Sequence, residues 1–374
     1  MGGMAELFDP SVYARRLAEA ARLCRERGLA GLVIGTGPEL AYLCGSWLTS
    51  HERFTALVVP AEGAPVFVVP RTDVGDVARS AVPDLGVEVR GWTDGEDPHA
   101  LTVAALGVSG PVALGSSLTT LHVLALQKKL AGRETVAAAT TLKELFMRKD
   151  LAEVEQLFQA ATAIDRVHER VPALLRAGRT EAQVAADLHA LILKEHDQVD
   201  FVIVGSGPNG ADPHHGYSGR VLETGDVVVV DLGGTRGPGY HSDSTRTYVV
   251  GGAEHAAPNV TEAYGVLQRA HAAAVAQARP GVTAESVDRA ARDVISRAGY
   301  GEYFVHRTGH GIGLSTHEEP YIMAGNDLLL EPGMCFSIEP GIYLPGEWGM
   351  RLEDIAVVSD TGVELLTRHQ RELR

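Results

Sequence analysis

Three cysteines in 374 residues, Cys24, Cys44 and Cys335, stand far apart and form no CxxC pair. That spacing excludes a disulfide framework and a cysteine zinc site, and it fits a reducing cytoplasm. Long apolar runs are also missing: nothing approaches the roughly 18 consecutive apolar residues that a membrane span needs. The opening MGGMAELFDPSVYARR lacks the apolar stretch of a secretory leader. Basic residues are in deficit, 33 Lys and Arg against 48 Asp and Glu, for a formal charge of −15. No basic patch with interleaved aromatics offsets that field, so nucleic acid is not an expected partner. The expectation is a soluble, cytoplasmic protein with neither a nucleic-acid nor a membrane partner.

Hydrophobic residues make up 45% and charged residues 22%, ordinary values for a packed globular chain. The length exceeds the roughly 250–300 residues at which one core stops growing, so two domains are expected. From Val12 to Gly28 the sequence is amphipathic and charged; AGLVIGTG, FTALVVP and APVFVVP then read as strands, and helix returns near Thr119 to Leu130. Such alternation predicts an α/β domain over residues 1–140. From TTLKELFMRKD to a glycine stop at Gly178 the pattern runs helical. Beyond Asp200 it turns strand-rich, with FVIVGSG, DVVVVDLGG, STRTYVV, MCFSIEPGIY and RLEDIAVV interrupted by two alanine-rich helices, Val260 to Arg279 and Ala284 to Ala298. Residues 141–374 are therefore expected to form an α+β domain around a curved antiparallel sheet.

GSGPNG at 205–210 matches the dinucleotide fingerprint GxGxxG and follows the apolar run FVIV. A working fingerprint opens a helix, whereas Pro213, Gly216 and Gly219 follow here and block one. The stretch reads instead as a glycine-rich loop that carries His214 and His215 into a site.

The residues that carry chemistry lie in four clusters: DLGGTRGPGYHSDSTRT (231–247), HRTGHGIGLSTHEEP (306–320), FSIEPGIY (336–343) and RLEDIAVV (351–358). Taken singly, each residue has a plainer reading. Asp231 and Asp243 suit the ends of an acidic surface hairpin, His310 suits a loop histidine bonded to backbone, and Glu339 suits an ion pair with Arg351. In RLED, Arg351 and Glu353 are two apart on one face that Ile355 continues, which directs a carboxylate inward. Buried carboxylates are costly unless paired or coordinated. Asp231, Asp243, Glu339 and Glu353 at strand positions, with His310 in a glycine-flanked loop, make a hard-oxygen donor set too negative for one divalent ion and suited to two. Two such ions lower the pKa of a shared water and polarise a carbonyl.

Together DLG…Y.SD.TRT, GHGIGL..HE.P, EPGIY and RLED resemble the pita-bread metallopeptidases, the family of prolidase, aminopeptidase P, methionine aminopeptidase and creatinase. The resemblance spans about residues 200–358. It implies that Asp231 holds one metal ion, that Asp243 and Glu353 bridge two, and that His310 and Glu339 complete the ligand set of the other ion. It further implies Glu339 as general base on the bridging water, and His317 as stabiliser of the oxyanion. His214, His306 and His317 would face the substrate, with Arg351 and Tyr343 at supporting and substrate-facing positions. The segment between the two aspartates looks one residue longer than in prolidases.

Methionine aminopeptidases usually lack a full α/β N-terminal domain, so the first 140 residues point to the creatinase, prolidase and aminopeptidase P branch. YLCGSWLTSHERFTALVVP resembles that branch's N-terminal domain, which in its homodimers can reach the neighbouring subunit. Trp47, His51 and Arg53 are accordingly candidates for closing the pocket in trans, or else ordinary loop residues. The resemblance implies a peptide substrate cleaved at the Xaa-Pro bond, a tertiary amide with no N–H to recognise, with two Mn²⁺ ions as cofactors, or Co²⁺ or Zn²⁺. Dipeptides are the expected substrates. Longer peptides, as for aminopeptidase P, are the alternative; a non-catalytic peptide-binding protein and a creatinase-like amidinohydrolase are further ones.

Overall fold

The computed structural model describes residues 7–374. They divide into two compact units, Met1–Phe146 and Met147–Arg374. The expected division at 140/141 falls inside the helix Ala139–Met147. Among the described residues, no helix is long and apolar enough to cross a membrane.

The first unit is built on a six-stranded mixed sheet in the order Glu88–Trp92, Val66–Pro70, Ala56–Pro60, Gly31–Ile34, Val112–Leu114, Thr135–Ala137. Gly31–Ile34 runs antiparallel to Ala56–Pro60 and parallel to Val112–Leu114. Its four residues are all buried, which is why the sequence there is a continuous apolar run without alternation. The preceding helix, Pro10–Glu26, begins where the Asp9 carboxylate accepts from Ser11 N and Pro10 fills the first helical position.

The expected helical run from 140 to 178 is broken into Ala139–Met147, Leu151–His168 and Val171–Leu174. Lys149 leaves the helix ladder by donating its backbone N–H to Gly333 O. Asp150 then starts a new helix, with its carboxylate on Ala152 N and Glu153 N in a capping box.

Strands Gln198–Ser206, Val227–Arg236 and Tyr240–Val249 form one antiparallel sheet. The hairpin ladder is uninterrupted from Val227↔Val249 to Arg236↔Tyr240, with Gly237, Pro238 and Gly239 as its tip. Gly237 and Gly239 have φ of 58° and 110°, conformations that glycine adopts without a Cβ clash. Side chains alternate between faces, so this register fixes which residues share one. Val228, Val230, Leu232 and Tyr248 pack with Ile164, Val167, Val184 and Leu188 of the covering helices. Asp231, pairing with Thr245, and Asp243, pairing with Gly233, occupy the opposite face. Phe201 and Ile203 pair with Gly233 and Asp231 from the third strand and join that face.

A five-stranded antiparallel sheet follows the order Glu318–Ile322, Gly309–Gly311, Cys335–Ile338, Asp354–Val358, Val363–Leu365. Gly341–Leu344 and Trp348–Arg351 form a separate antiparallel pair. The long helices Pro258–Gln277 and Ala284–Arg297 contribute Val260, Leu267 and Ala291 to the core that holds Phe336 and Ala356.

Candidate functional site

The hairpin delivers Asp231 and Asp243 to one place because they are diagonal neighbours on a single face. Glu339 and Glu353 arrive from two breaks in the strands. FSIEPGIY stops at Ile338 and restarts at Gly341, and the chain leaves strand Trp348–Arg351 before resuming at Asp354. Arg351 and Glu353 both reach the site, but the single strand face expected to run on to Ile355 is interrupted between them.

His310 sits in the strand Gly309–Gly311, not in the loop expected of it. Its flanking glycines explain why that strand was hard to read. A Cβ on Gly309 would collide with Ser337 O and one on Gly311 with Glu319 O, so neighbouring strands close in at positions where only glycine fits. The His310 ring bonds Gly311 O through Nδ1 at 3.1 Å. That leaves Nε2 to meet Glu339 Oε1 at 3.2 Å and Asp243 Oδ2 at 3.7 Å. With Nδ1–H engaged, a cation that displaces the proton from Nε2 would be met by the Nε2 lone pair.

Three groups of side chains converge closely enough to hold a metal ion, their ligand atoms within 4.8 Å of one another: Asp231, Asp243 and Glu353; His310, Glu339 and Glu353; Asp243, His310 and His317. Two carboxylate oxygens, Asp231 Oδ1 and Glu353 Oε1, are buried with no hydrogen-bond partner among the described residues. A buried anionic oxygen without a donor carries the full cost of desolvation, so the donor set fits divalent cations. The electrostatics agree. Burial, and then the charges of Glu353, Asp231 and Glu339, push Asp243 well above the usual carboxylate range. Glu353 is raised in the same way by burial and by Glu339 and Asp231. At Glu339 burial also opposes ionisation, but the hydrogen bond and charge of His310 outweigh it and hold the carboxyl at about 2.

Arg351 pairs with Asp231, its Nη2 donating to Oδ2 at 2.6 Å, so the ion pair expected with Glu339 is made with a different carboxylate. Its Nη1 donates to the Tyr343 hydroxyl at 2.8 Å. Tyr343 Oη lies 2.9 Å from His306 Nε2, and His306 Nδ1 is 2.7 Å from Arg307 O. Because the phenol accepts from Arg351, its own proton goes to His306 Nε2, and Nδ1 carries the imidazole proton. Burial depresses the His306 pKa, consistent with that neutral ring. Tyr343, 3% exposed, stands behind the cavity and does not line it.

A cavity of about 550 Å³ opens over these groups. His214, His306 and His317 border it, as does Arg351. His215 turns away and bonds the buried Glu181 at 2.9 Å, so only one of the two expected histidines enters. The His317 ring lies 3.8 Å from that of His310, and burial with the charge of His310 brings its pKa to about 4. GSGPNG forms a short 3-10 turn, Gly207–Ala211, and no α-helix. Trp47, His51 and Arg53 belong to the first unit, where Arg53 pairs with Asp94 at 3.1 Å.

Sequence reasoning missed several members. Thr245 donates to Glu353 Oε2 at 2.8 Å and accepts from Arg351 Nε at 3.0 Å; its position two residues beyond Asp243 was the available signal. Ser337 donates to Glu339 Oε1 and accepts from His310 N. Phe201 and Ile203 form an apolar wall, and Arg307 brings a guanidinium to the cavity while stacking on Tyr321 at 4.4 Å.

The family model of metallopeptidase family M24 matches residues 155–360, and that of the creatinase/prolidase N-terminal domain matches residues 16–147. The probable dipeptidase PepE of Mycobacterium tuberculosis (strain ATCC 25618 / H37Rv) is 56% identical over 98% of this chain and 97% of its own length. The Xaa-Pro dipeptidase of Lactobacillus helveticus is 36% identical over 90% of this chain and 92% of its own. Among solved structures, dipeptidase PepE from Mycobacterium ulcerans superposes with a TM-score of 0.94 at 57% identity, covering 98% of both chains. Recombinant prolidase from Thermococcus sibiricus gives 0.89 at 36% identity, covering 96% of this chain and 98% of its own.

Proposed function

The chain belongs to metallopeptidase family M24, and we propose that its reaction is hydrolysis of the Xaa-Pro bond in dipeptides. The observation that carries this reading is the buried donor set with two carboxylate oxygens left without a partner among the described residues, opening on a cavity with one apolar wall. Asp231, Asp243, His310, Glu339 and Glu353 would hold two divalent ions, Mn²⁺ first and Co²⁺ or Zn²⁺ as alternatives. When bound, such ions lower the pKa of the attacking water and polarise the scissile carbonyl. Support for Asp243 and Glu353 as the shared ligands is that each converges with Asp231 in one group and with His310 in another.

Glu339, its carboxylate within the donor set, would accept the proton of the attacking water. His317, neutral near pH 7, donates an N–H to the carbonyl oxygen as it becomes tetrahedral. Arg351 offsets one charge of the cluster by holding Asp231. His214 and His306 bound the space the peptide occupies. Phe201 and Ile203 suit the proline ring, which offers no N–H to bond. Arg307, a guanidinium on the wall, suits the free carboxylate of a dipeptide, and it is the feature that favours dipeptides over longer chains.

The same reading takes the protein as a cytoplasmic homodimer in which Trp47, His51 and Arg53 approach the partner's pocket. The deciding experiment compares Mn²⁺-loaded protein on Ala-Pro and Ala-Pro-Ala, before and after chelation. Ala-Pro should turn over faster, and chelation should abolish turnover. Full activity after metal removal would sink the metal-dependent reading, and faster cleavage of the tripeptide would replace dipeptidase with aminopeptidase.

A further inference from the structure

Glu181, the first residue of the helix Glu181–Glu195, is 0% exposed and plays no part in the donor set around His310. A carboxylate in that position must be compensated, and the helix N-terminus supplies only part of the compensation. The rest comes from one stretch of chain. Ser206 donates from its backbone N at 2.8 Å and its hydroxyl at 2.6 Å. Asn209 Nδ2 reaches both carboxylate oxygens at 3.1 Å. Ser218 donates from N at 2.9 Å and from Oγ at 2.7 Å, and His215 Nε2 lies at 2.9 Å. Donation from the hydroxyls of Ser206 and Ser218 and from His215 outweighs burial and keeps Glu181 ionised, with its pKa at about 2.

All of these donors belong to residues 206–218, the excursion that leaves strand Gln198–Ser206. Its two ends and its middle are thus tied to one buried anion. Between the ties lie Pro213 and His214, both of which border the cavity. Asp212 shapes that apex: its Oδ1 accepts from His214 N and its backbone O from His215 N. Pro213 O in turn accepts from Arg351 Nη1 at 3.4 Å. His214 and His215 are consecutive and point opposite ways, so a fixed bond from His215 to Glu181 fixes the direction of His214. Glycines at 207, 210 and 216 leave the excursion little stiffness of its own.

We propose that Glu181 is a positioning residue for substrate: by tying Ser206, Asn209, His215 and Ser218 to one point, it sets His214 over the scissile peptide. This rests on the reading that His214 contacts the substrate. A displacement of about 1 Å at such a wall costs on the order of 100-fold in rate.

The test is a double-mutant cycle of Glu181→Gln and His214→Ala on Ala-Pro hydrolysis, with bound metal measured by elemental analysis. Glu181→Gln is expected to lower kcat/KM roughly 10- to 100-fold with metal content unchanged. The double variant should be no worse than His214→Ala alone, because the two act through one contact. Additive losses, or a Glu181→Gln enzyme as fast as the parent, overturn the positioning role while leaving His214 a substrate contact. If His214→Ala alone changes nothing, the reading of His214 falls and the proposal falls with it. Should Glu181→Gln fail to unfold cooperatively, His215→Asn replaces it in the same cycle, with the same outcomes expected.

Discussion

A single hydroxyl, that of Thr245, joins two of the buried charges in the site. It donates to Glu353 Oε2 and accepts from Arg351 Nε, so one atom orients a carboxylate ligand and the guanidinium that holds Asp231. Thr245→Val keeps the branched shape and removes the hydroxyl from between these charges. Groups that orient metal ligands in this way typically cost 10- to 100-fold in affinity or activity when removed. Titrating metal-free Thr245→Val with Mn²⁺ by calorimetry should show weakening of about that size, with a matching loss in how far Mn²⁺ raises the thermal unfolding temperature. An affinity equal to the parent's would show that Glu353 is held by its backbone alone. That backbone has its own support: Arg246, 1% exposed, donates to Glu353 O as well as to Asp354 Oδ1 at 2.8 Å and His369 O at 2.9 Å.

Register is the property of the hairpin Val227–Val249 that makes the site. A one-residue slip in a strand moves its whole side-chain set to the other face, so any change between Asp231 and the tip is dangerous, whereas a change in the tip itself is not. Deleting Pro238 leaves Gly237-Gly239 as a two-residue turn and keeps Arg236↔Tyr240 and every pair below it. The deletion should therefore leave kcat/KM for Ala-Pro within about threefold, while inserting an alanine between Leu232 and Gly233 should reduce it by more than about 100-fold. Equal losses from both changes would mean that the tip fixes the site by some route other than register. Where period-2 alternation or a valine run stood, as at DVVVVDLGG and FVIVGSG, the strand was legible. It was not legible where geometry depends on distant backbone: Gly309–Gly311 is a strand only because Ser337 and Glu319 close in on it, and Glu339 and Glu353 project from breaks that no local pattern marks. Helix breaks at Lys149 and Asp150 were hidden likewise, because the carbonyl that receives Lys149 N is Gly333 O.

Across the whole molecule, burial has pushed two sets of titratable groups in opposite directions, and stability must follow. Asp243 and Glu353 are raised well above the carboxylate range by burial and by their neighbours' charges. The stability they contribute is present at low pH and lost as pH rises through their folded-state values. His196 and His369 are lowered to about 4, by burial first and then by the charges of Arg236 and Arg246 respectively. His168, fully buried between the Tyr248 hydroxyl and Ser244 O, is lowered well below its ordinary range for the same first reason. For these histidines the sign is reversed: the unfolded chain takes up protons near pH 6.5 while the folded one does not, so stability is present above 6.5 and falls toward pH 4. The metal-free protein is thus weakened on both sides, and divalent cations remove the alkaline weakness by compensating the carboxylates. His196, 5% exposed with Nε2 at 2.9 Å from Ser242 Oγ, isolates the acid side. Between pH 6.5 and 5 the parent should lose roughly 2 kcal/mol relative to His196→Gln, at about 1.4 kcal/mol per pH unit. Urea unfolding of both proteins at pH 7, 6 and 5, each metal-free, reads that difference directly. Parallel stability curves would mean that His196 titrates alike in the folded and unfolded chains, and that its burial behind the hairpin does not set the acid limit.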